Sequence, residues 1–224
     1  MDTVGDILDL AHPDGATALH TPTREYDYHR FRATTFKVGN YLRHCGVGDH
    51  AIVAVLDVPA PETVFGFLGT ALLGGAVAFD PVTTVDATVL LGPTTDLAAY
   101  DVEPGCKRVG FDEEPSDPSW AYFEREVWSE NPFFPESPAD QDDALLPGLT
   151  QREVVDRAEE TAAALTADDE VAVRGPFADP GTVVDGVLAP LVAGASIVFP
   201  DDDLVGTVAV GGDGPEGRRM DDHD

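Results

Sequence analysis

Lysine is nearly absent from this chain. Lys37 and Lys107 are its only two lysines, against 42 acidic residues, 28 of them Asp, and the formal net charge is -29. Nucleic acids and anionic lipids are held through clustered Lys and Arg, so the sequence argues against both as partners. Short, strongly hydrated carboxylates with so little Lys suit a cell interior at molar salt, where screening over about 3 Å removes the self-repulsion. A high-salt cytoplasm is the expected location. Cysteine is scarce too: Cys45 and Cys106 form no CxxC or Cys/His cluster, which excludes a disulfide framework and a Cys-based metal site. No stretch approaches about 18 continuous apolar residues. The start, MDTVGDILDLAHPDG, has acids where a signal peptide needs a basic and then an apolar segment. A soluble intracellular protein is expected.

Hydrophobic residues make up 43% of the 224, enough for one good core or two modest ones. Val4, Ile7, Leu8 and Ala11 recur at helical spacing before His12-Pro13-Asp14-Gly15 breaks the pattern. Residues 16–20 and 24–28 read as a hairpin around Thr21-Pro22-Thr23, and a helix follows from Tyr28 to Cys45 with Gly46 as its left-handed stop. AIVAVLDV (51–58) is a buried parallel strand by composition, Pro61 opens an apolar helix, and AVAFD (76–80) is the next strand. That is a β-α-β unit. A second one follows. Thr150 and Glu153 fit a capping box opening a helix to about Leu165; 171–175 is a strand, 179–195 a helix interrupted at Pro190, and 196–200 a strand. Between the units, 87–92 and 107–111 read as short strands, SWAYFEREVW (119–128) as one helix, and the Pro-rich stretch after it as a linker anchored by Phe133 and Phe134. FLGTALLGGAVAFDP and VLAPLVAGASIVFPD echo each other as an internal pseudo-repeat.

The order of these elements resembles the N-terminal part of the acyl-CoA synthetase and AMP-dependent ligase superfamily, the adenylate-forming enzymes. Tyr26 to Tyr28, Leu42 to Asp49, Pro61-Glu62 and Gly75 to Pro81 stand where that family has an aromatic strand, an "LRxLGVxxGDRVA" helix end, a "PE" helix start and a "GAVxxPLNP" strand. LTQREVV resembles its "LTHRNLL" helix, Gly175-Pro176-Phe177-Ala178 its "PLFH" turn, and residues 191–199 its "LLxGAxVVL" strand. The resemblance covers nearly all of residues 15–200. It implies an α/β fold, a mainly parallel sheet or sheets with helices on both faces, and by ancestry ATP, AMP and CoA.

The family's phosphate loop, Ser/Thr-Gly-Ser/Thr-Thr-Gly-x-Pro-Lys-Gly, should precede the "LTHRN" helix. This chain has Asp143-Ala144-Leu145-Leu146-Pro147-Gly148-Leu149-Thr150 there. The hydroxyls, the Lys and all glycines but Gly148 are gone, and with them the donors and charge that hold phosphate oxygens. The family's His is Ala178. The later adenine, ribose and catalytic-Lys motifs have no counterpart before residue 224. No residue is therefore assigned a catalytic, cofactor-binding or metal-ligating role, and no cofactor is expected.

Other candidates read as structural. The histidines at 12, 20, 29, 44, 50 and 223 form no HxxxH or HExxH pair. Asp142-Asp143, Asp168-Asp169 and Asp201-Asp202-Asp203 read as solvated turns, since a cation needs oxygens converging from several loops. Ser137 and Ser196 lack a nucleophile setting, and Cys45 beside His44 points away from it on a helix. Gly211-Gly212-Asp213-Gly214 has no following helix and reads as part of a flexible tail. The aromatic segment Trp120 to Phe134 either packs on the sheet or docks a partner.

The expected division is a first α/β subdomain at 1–111, a helix and acidic linker at 112–148, a second β-α-β segment at 149–210 and a disordered tail at 211–224. The expected function is that of a shortened, degenerate relative without ATP-dependent adenylation: a regulator, a partner of a full-length ligase or other subunit, or a small-ligand binder. Two alternatives remain, the N-terminal component of a split acid–CoA ligase and an assembly protein without ligand.

Overall fold

Short apolar strands alternating with helices build parallel sheets, and two large ones stand among the described residues. In the computed structural model, which describes residues Met1–Met220, its Cα positions group into two units. One holds Met1–Arg32, Pro59–Pro61 and the chain from Arg152; the other holds Ala33–Val58 and Glu62–Gln151.

The first unit carries a six-stranded sheet in the order Arg218–Arg219, Val208–Val210, Glu170–Val173, Ser196–Val198, Thr17–His20, Glu25–Asp27. Every pairing is parallel except the hairpin Thr17–His20 with Glu25–Asp27. Leu19, Val171, Ala172, Ile197, Val198 and Val208 are buried, as expected where helices cover a parallel sheet. The helix joining Glu170–Val173 to Ser196–Val198 is not broken at Pro190. It runs through Pro180–Val183, a π-turn at Val184–Leu188 and Ala189–Ala193. Proline lacks an N–H and crowds the carbonyl four residues back, and the wider π-turn just before it absorbs both defects.

The second unit carries a five-stranded, wholly parallel sheet in the order Ala76–Phe79, Ile52–Val55, Val89–Pro93, Lys107–Phe111, Ala121–Tyr122. Pro61–Ala71, buried along its whole length, is the crossover helix from Ile52–Val55 to Ala76–Phe79. The echoing passages thus belong to two β-α-β units in separate sheets. Helix Tyr28–Cys45 has the expected limits, and Gly46 follows at φ 96°.

The two units are interleaved in sequence, because the six-stranded sheet pairs residues as distant as Leu19 and Ile197. Two further expectations need correction. SWAYFEREVW is a short strand, Ala121–Tyr122, and then a helix, Phe123–Trp128; Ala121 pairs with Val109, so sheet pairing overrides helical propensity there. Residues 211–220 do not form a loose tail: Arg218–Arg219 pairs with Val208 and Ala209, and the Met220 N–H bonds the Ala209 carbonyl at 3.0 Å. His223 lies outside the described residues. No helix among those described is long and apolar enough to cross a membrane.

The aromatic segment divides its work. Trp120 packs beside Leu90 and Leu97 with the Arg108 guanidinium 5.1 Å from its ring, and Phe123 is buried. Phe134 is buried against Phe36 at 5.8 Å, with Arg43 over its ring at 4.5 Å. Phe133 and Trp128 are 71% and 81% exposed, so Phe133 is no anchor. Phe134→Ala should therefore cost about 3 kcal/mol by urea denaturation in molar KCl, whereas Trp128→Ala should stay within about 0.5 kcal/mol.

Candidate functional site

The stretch expected to hold a phosphate loop is a tight hairpin. Ala144–Leu146 pairs antiparallel with Leu149–Thr150, with Leu146 opposite Leu149, and only Pro147 and Gly148 connect them. Pro147 sets the first corner, and Gly148 takes φ 75°, the left-handed position that a type II turn gives to glycine. Leu145, Leu146 and Leu149 are buried, so apolar burial holds the strands closed. Gln151, fully buried where the helix Gln151–Ala162 begins, donates its side-chain amide to the Ala71 carbonyl at 2.9 Å. Pro147 has no N–H, and neither turn residue carries a hydroxyl or a cation. Within the turn itself, the Gly148 N–H is the one hydrogen-bond donor.

A second place has the position of a ligand site. In open α/β sheets, ligands dock beyond the carboxyl ends of the strands. In the first unit, Glu170–Val173 and Val208–Val210 end together, and the Arg174 and Gly175 N–H groups both bond the Val210 carbonyl, at 2.9 and 3.2 Å. Gly175 and Gly211 nearly touch: a Cβ on Gly175 would lie 2.7 Å from the Gly211 Cα and 2.5 Å from the Thr182 hydroxyl. Thr182 is 2% exposed and its hydroxyl has no partner. Arg174 supplies a cation. Its Nε lies 3.0 Å from both Glu216 carboxylate oxygens and its Nη2 2.6 Å from Oε1. The Glu216 side chain is fully buried and that of Arg174 is 21% exposed. This bonding holds the Glu216 carboxyl below its usual range and pushes the guanidinium up.

Sequence reasoning missed Arg174, Thr182 and Glu216. The available signal was a pair of carboxylates, Asp213 and Glu216, inside the glycine run GGDGPEG, and a flexible tail produces the same signal.

A third feature is a cleft of about 210 Å³ in the first unit, lined by Ile7, Leu8, His12, Tyr28, Phe31 and Leu191 among others. His12 stacks on Tyr28 with ring centroids 3.8 Å apart, and the Tyr28 hydroxyl donates to the Ala195 carbonyl at 2.6 Å. Burial lowers the His12 pKa and raises that of Tyr28.

The remaining candidates do not converge. His44 is exposed and pairs with Glu130 at 3.0 Å, while Cys45 is buried and burial raises its thiol pKa. His20 lies in a strand, His29 is exposed, and His50 pairs with Asp49. Ser137 donates to the Leu72 carbonyl and Ser196 to that of Thr17, both at 2.8 Å. Asp143, Asp169 and Asp201 accept backbone N–H groups of their own turns. Among the described residues, no group of three His, Cys, Asp or Glu could hold a metal ion.

No family model and no curated protein matches this sequence. Solved structures do match. The anthranilate–CoA ligase AuaEII, solved with anthranoyl-AMP, aligns with a TM-score of 0.78 at 18% identity over 93% of this chain and 49% of that one. MatB from Rhodopseudomonas palustris gives 0.73 at 16%, over 93% and 48%. A benzoate–CoA ligase from Burkholderia xenovorans LB400 gives 0.74 at 15%, over 94% and 50%. The chain has the fold of the N-terminal part of these adenylate-forming ligases and spans about half their length.

His12 supplies a test of its surroundings. Its folded pKa lies below 6.5, so the unfolded chain takes up a proton first as pH falls; stability is fully present above that value and is lost as pH drops from 6.5 toward the folded pKa. His12→Phe keeps a ring on Tyr28 and should flatten this part of the pH–stability curve, read by thermal melts.

Proposed function

We propose that this chain is an acyl-CoA-synthetase-like protein without ATP-dependent adenylation, acting as a small-ligand binder or as a regulatory partner of a complete ligase. The observation that carries the reading is the Pro147-Gly148 turn. A phosphate chain is held by several charge-assisted hydrogen bonds at about 1.5–3 kcal/mol each, so losing only two weakens binding by about a thousandfold. The scaffold around the turn does not need those donors. Leu145, Leu146 and Leu149 hold the hairpin by burial, which accounts for a fold kept without the loop. A partner would be a protein or a small molecule, since an acidic surface with 13 basic residues suits neither nucleic acid nor membrane.

Isothermal titration with ATP, AMP and CoA in molar KCl, beside a pyrophosphate-release assay with aromatic and aliphatic acids, tests this. The expected result is an ATP Kd above about 1 mM with no pyrophosphate released. Tight ATP binding with acid-dependent release would overturn the reading. Release appearing only when a separate ligase C-terminal domain is added would favour a split enzyme instead.

A further inference from the structure

We propose that residues 211–220 form a strap over an oxyanion site at Arg174, in which the Glu216 carboxylate stands where the carboxylate or phosphate of a small ligand binds. The inference rests on the end of the six-stranded sheet alone and does not depend on whether adenylation is lost.

Four observations carry it. Arg174 directly follows an inner strand of a parallel sheet, at the end where such sheets take ligands. Its guanidinium grips Glu216 through Nε and Nη2, the fork that recognises planar oxyanions in general. Glu216 is the buried member of the pair, fully enclosed while Arg174 keeps 21% exposure, so the carboxylate sits as a guest inside the crevice. At the same sheet end, the buried Thr182 hydroxyl lies against Gly175 and Gly211 with no hydrogen-bond partner, an unused polar group next to the chain that carries Arg174.

The strap is built to wrap and to lift. Glycines at 211, 212 and 214 let it fold closely around the Arg174 side chain; a Cβ at 214 would come within 2.1 Å of the Arg174 Nε. Beyond Glu216 the described strap is held by the two-residue strand Arg218–Arg219, the Met220 N–H bond to Ala209, packing of Met220 against the cluster around Val208, and one partly exposed ion pair, Arg218 with Asp169. Exposed pairs contribute little. The Glu216 carboxylate, gripped by Arg174 and also bonded by the Gly206 backbone, is thus the main tie, and an external oxyanion replaces its Arg174 part with a bond of the same kind.

The test uses the full chain in molar KCl, with sodium acetate and inorganic phosphate as probes and the backbone amide resonances of Gly175 and Gly211, present in every variant, as the readout. If the strap is open in about a tenth of molecules, removing its carboxylate raises apparent affinity about tenfold. Glu216→Gln should therefore bind one probe about tenfold more tightly than the native chain, and Arg174→Gln should abolish binding in both backgrounds. A preference for acetate assigns a carboxylate ligand, and one for phosphate a phosphorylated one. Equal affinity in native and Glu216→Gln chains, or binding that survives Arg174→Gln, overturns the proposal. Hydrogen exchange on the native chain guards against a misfolded variant: saturating probe should speed exchange of the Met220 amide while leaving that of Ala172 unchanged, and an unchanged Met220 amide refutes the strap.

Discussion

Glu170–Val173 is bonded on both sides, to Ser196–Val198 and to Val208–Val210, and a buried strand in that position must satisfy every backbone N–H and carbonyl through its neighbours. That requirement draws together segments far apart in sequence. Thr17–His20 completes the ladder beyond Ser196–Val198, and Arg218–Arg219 completes it beyond Val208–Val210. Arg174 inherits its place from this arrangement: the residue after the strand emerges where the parallel run ends. Gly175 and Gly211 follow because two adjacent parallel strands deliver their chains to one spot, and side chains there would collide.

The hairpin at Ala144–Thr150 shows how separable scaffold and ligand chemistry are. A phosphate loop contributes little to a core, since its donors must point outward. With two turn residues between the strands, the flanking leucines are buried and Gln151 is bonded to Ala71. A fold shared with active ligases therefore carries no assurance of their chemistry, and the reading proposed for this chain follows from the turn and not from the fold.

Much of the architecture was legible from local pattern. The runs at Ile52–Val55 and Ala76–Phe79, the proline start at Pro61 and the glycine stop at Gly46 each act through neighbours in sequence, and the order of elements led to the correct fold class. The interleaving of the two units was not legible, because strand order depends on pairings such as Leu19 with Ile197. Nor was the π-turn, which answers a steric problem that Pro190 announces without saying how it is solved. The Arg174–Glu216 pair was hidden for a similar reason. Its partners lie 42 positions apart, and a glycine run with two carboxylates reads as loose chain until the sheet end it wraps is known.

The six-stranded sheet also has borders. One is the two-residue strand Arg218–Arg219, the other the three-residue Glu25–Asp27, and both arginines and Glu25 are exposed. An open sheet invites strand addition from another copy through its unpaired edge groups, and short, charged borders are a common defence. With a basic rim on one side and an acidic rim on the other, this sheet gives a neighbouring molecule no long apolar edge to extend, which limits fibril-like stacking of the chain.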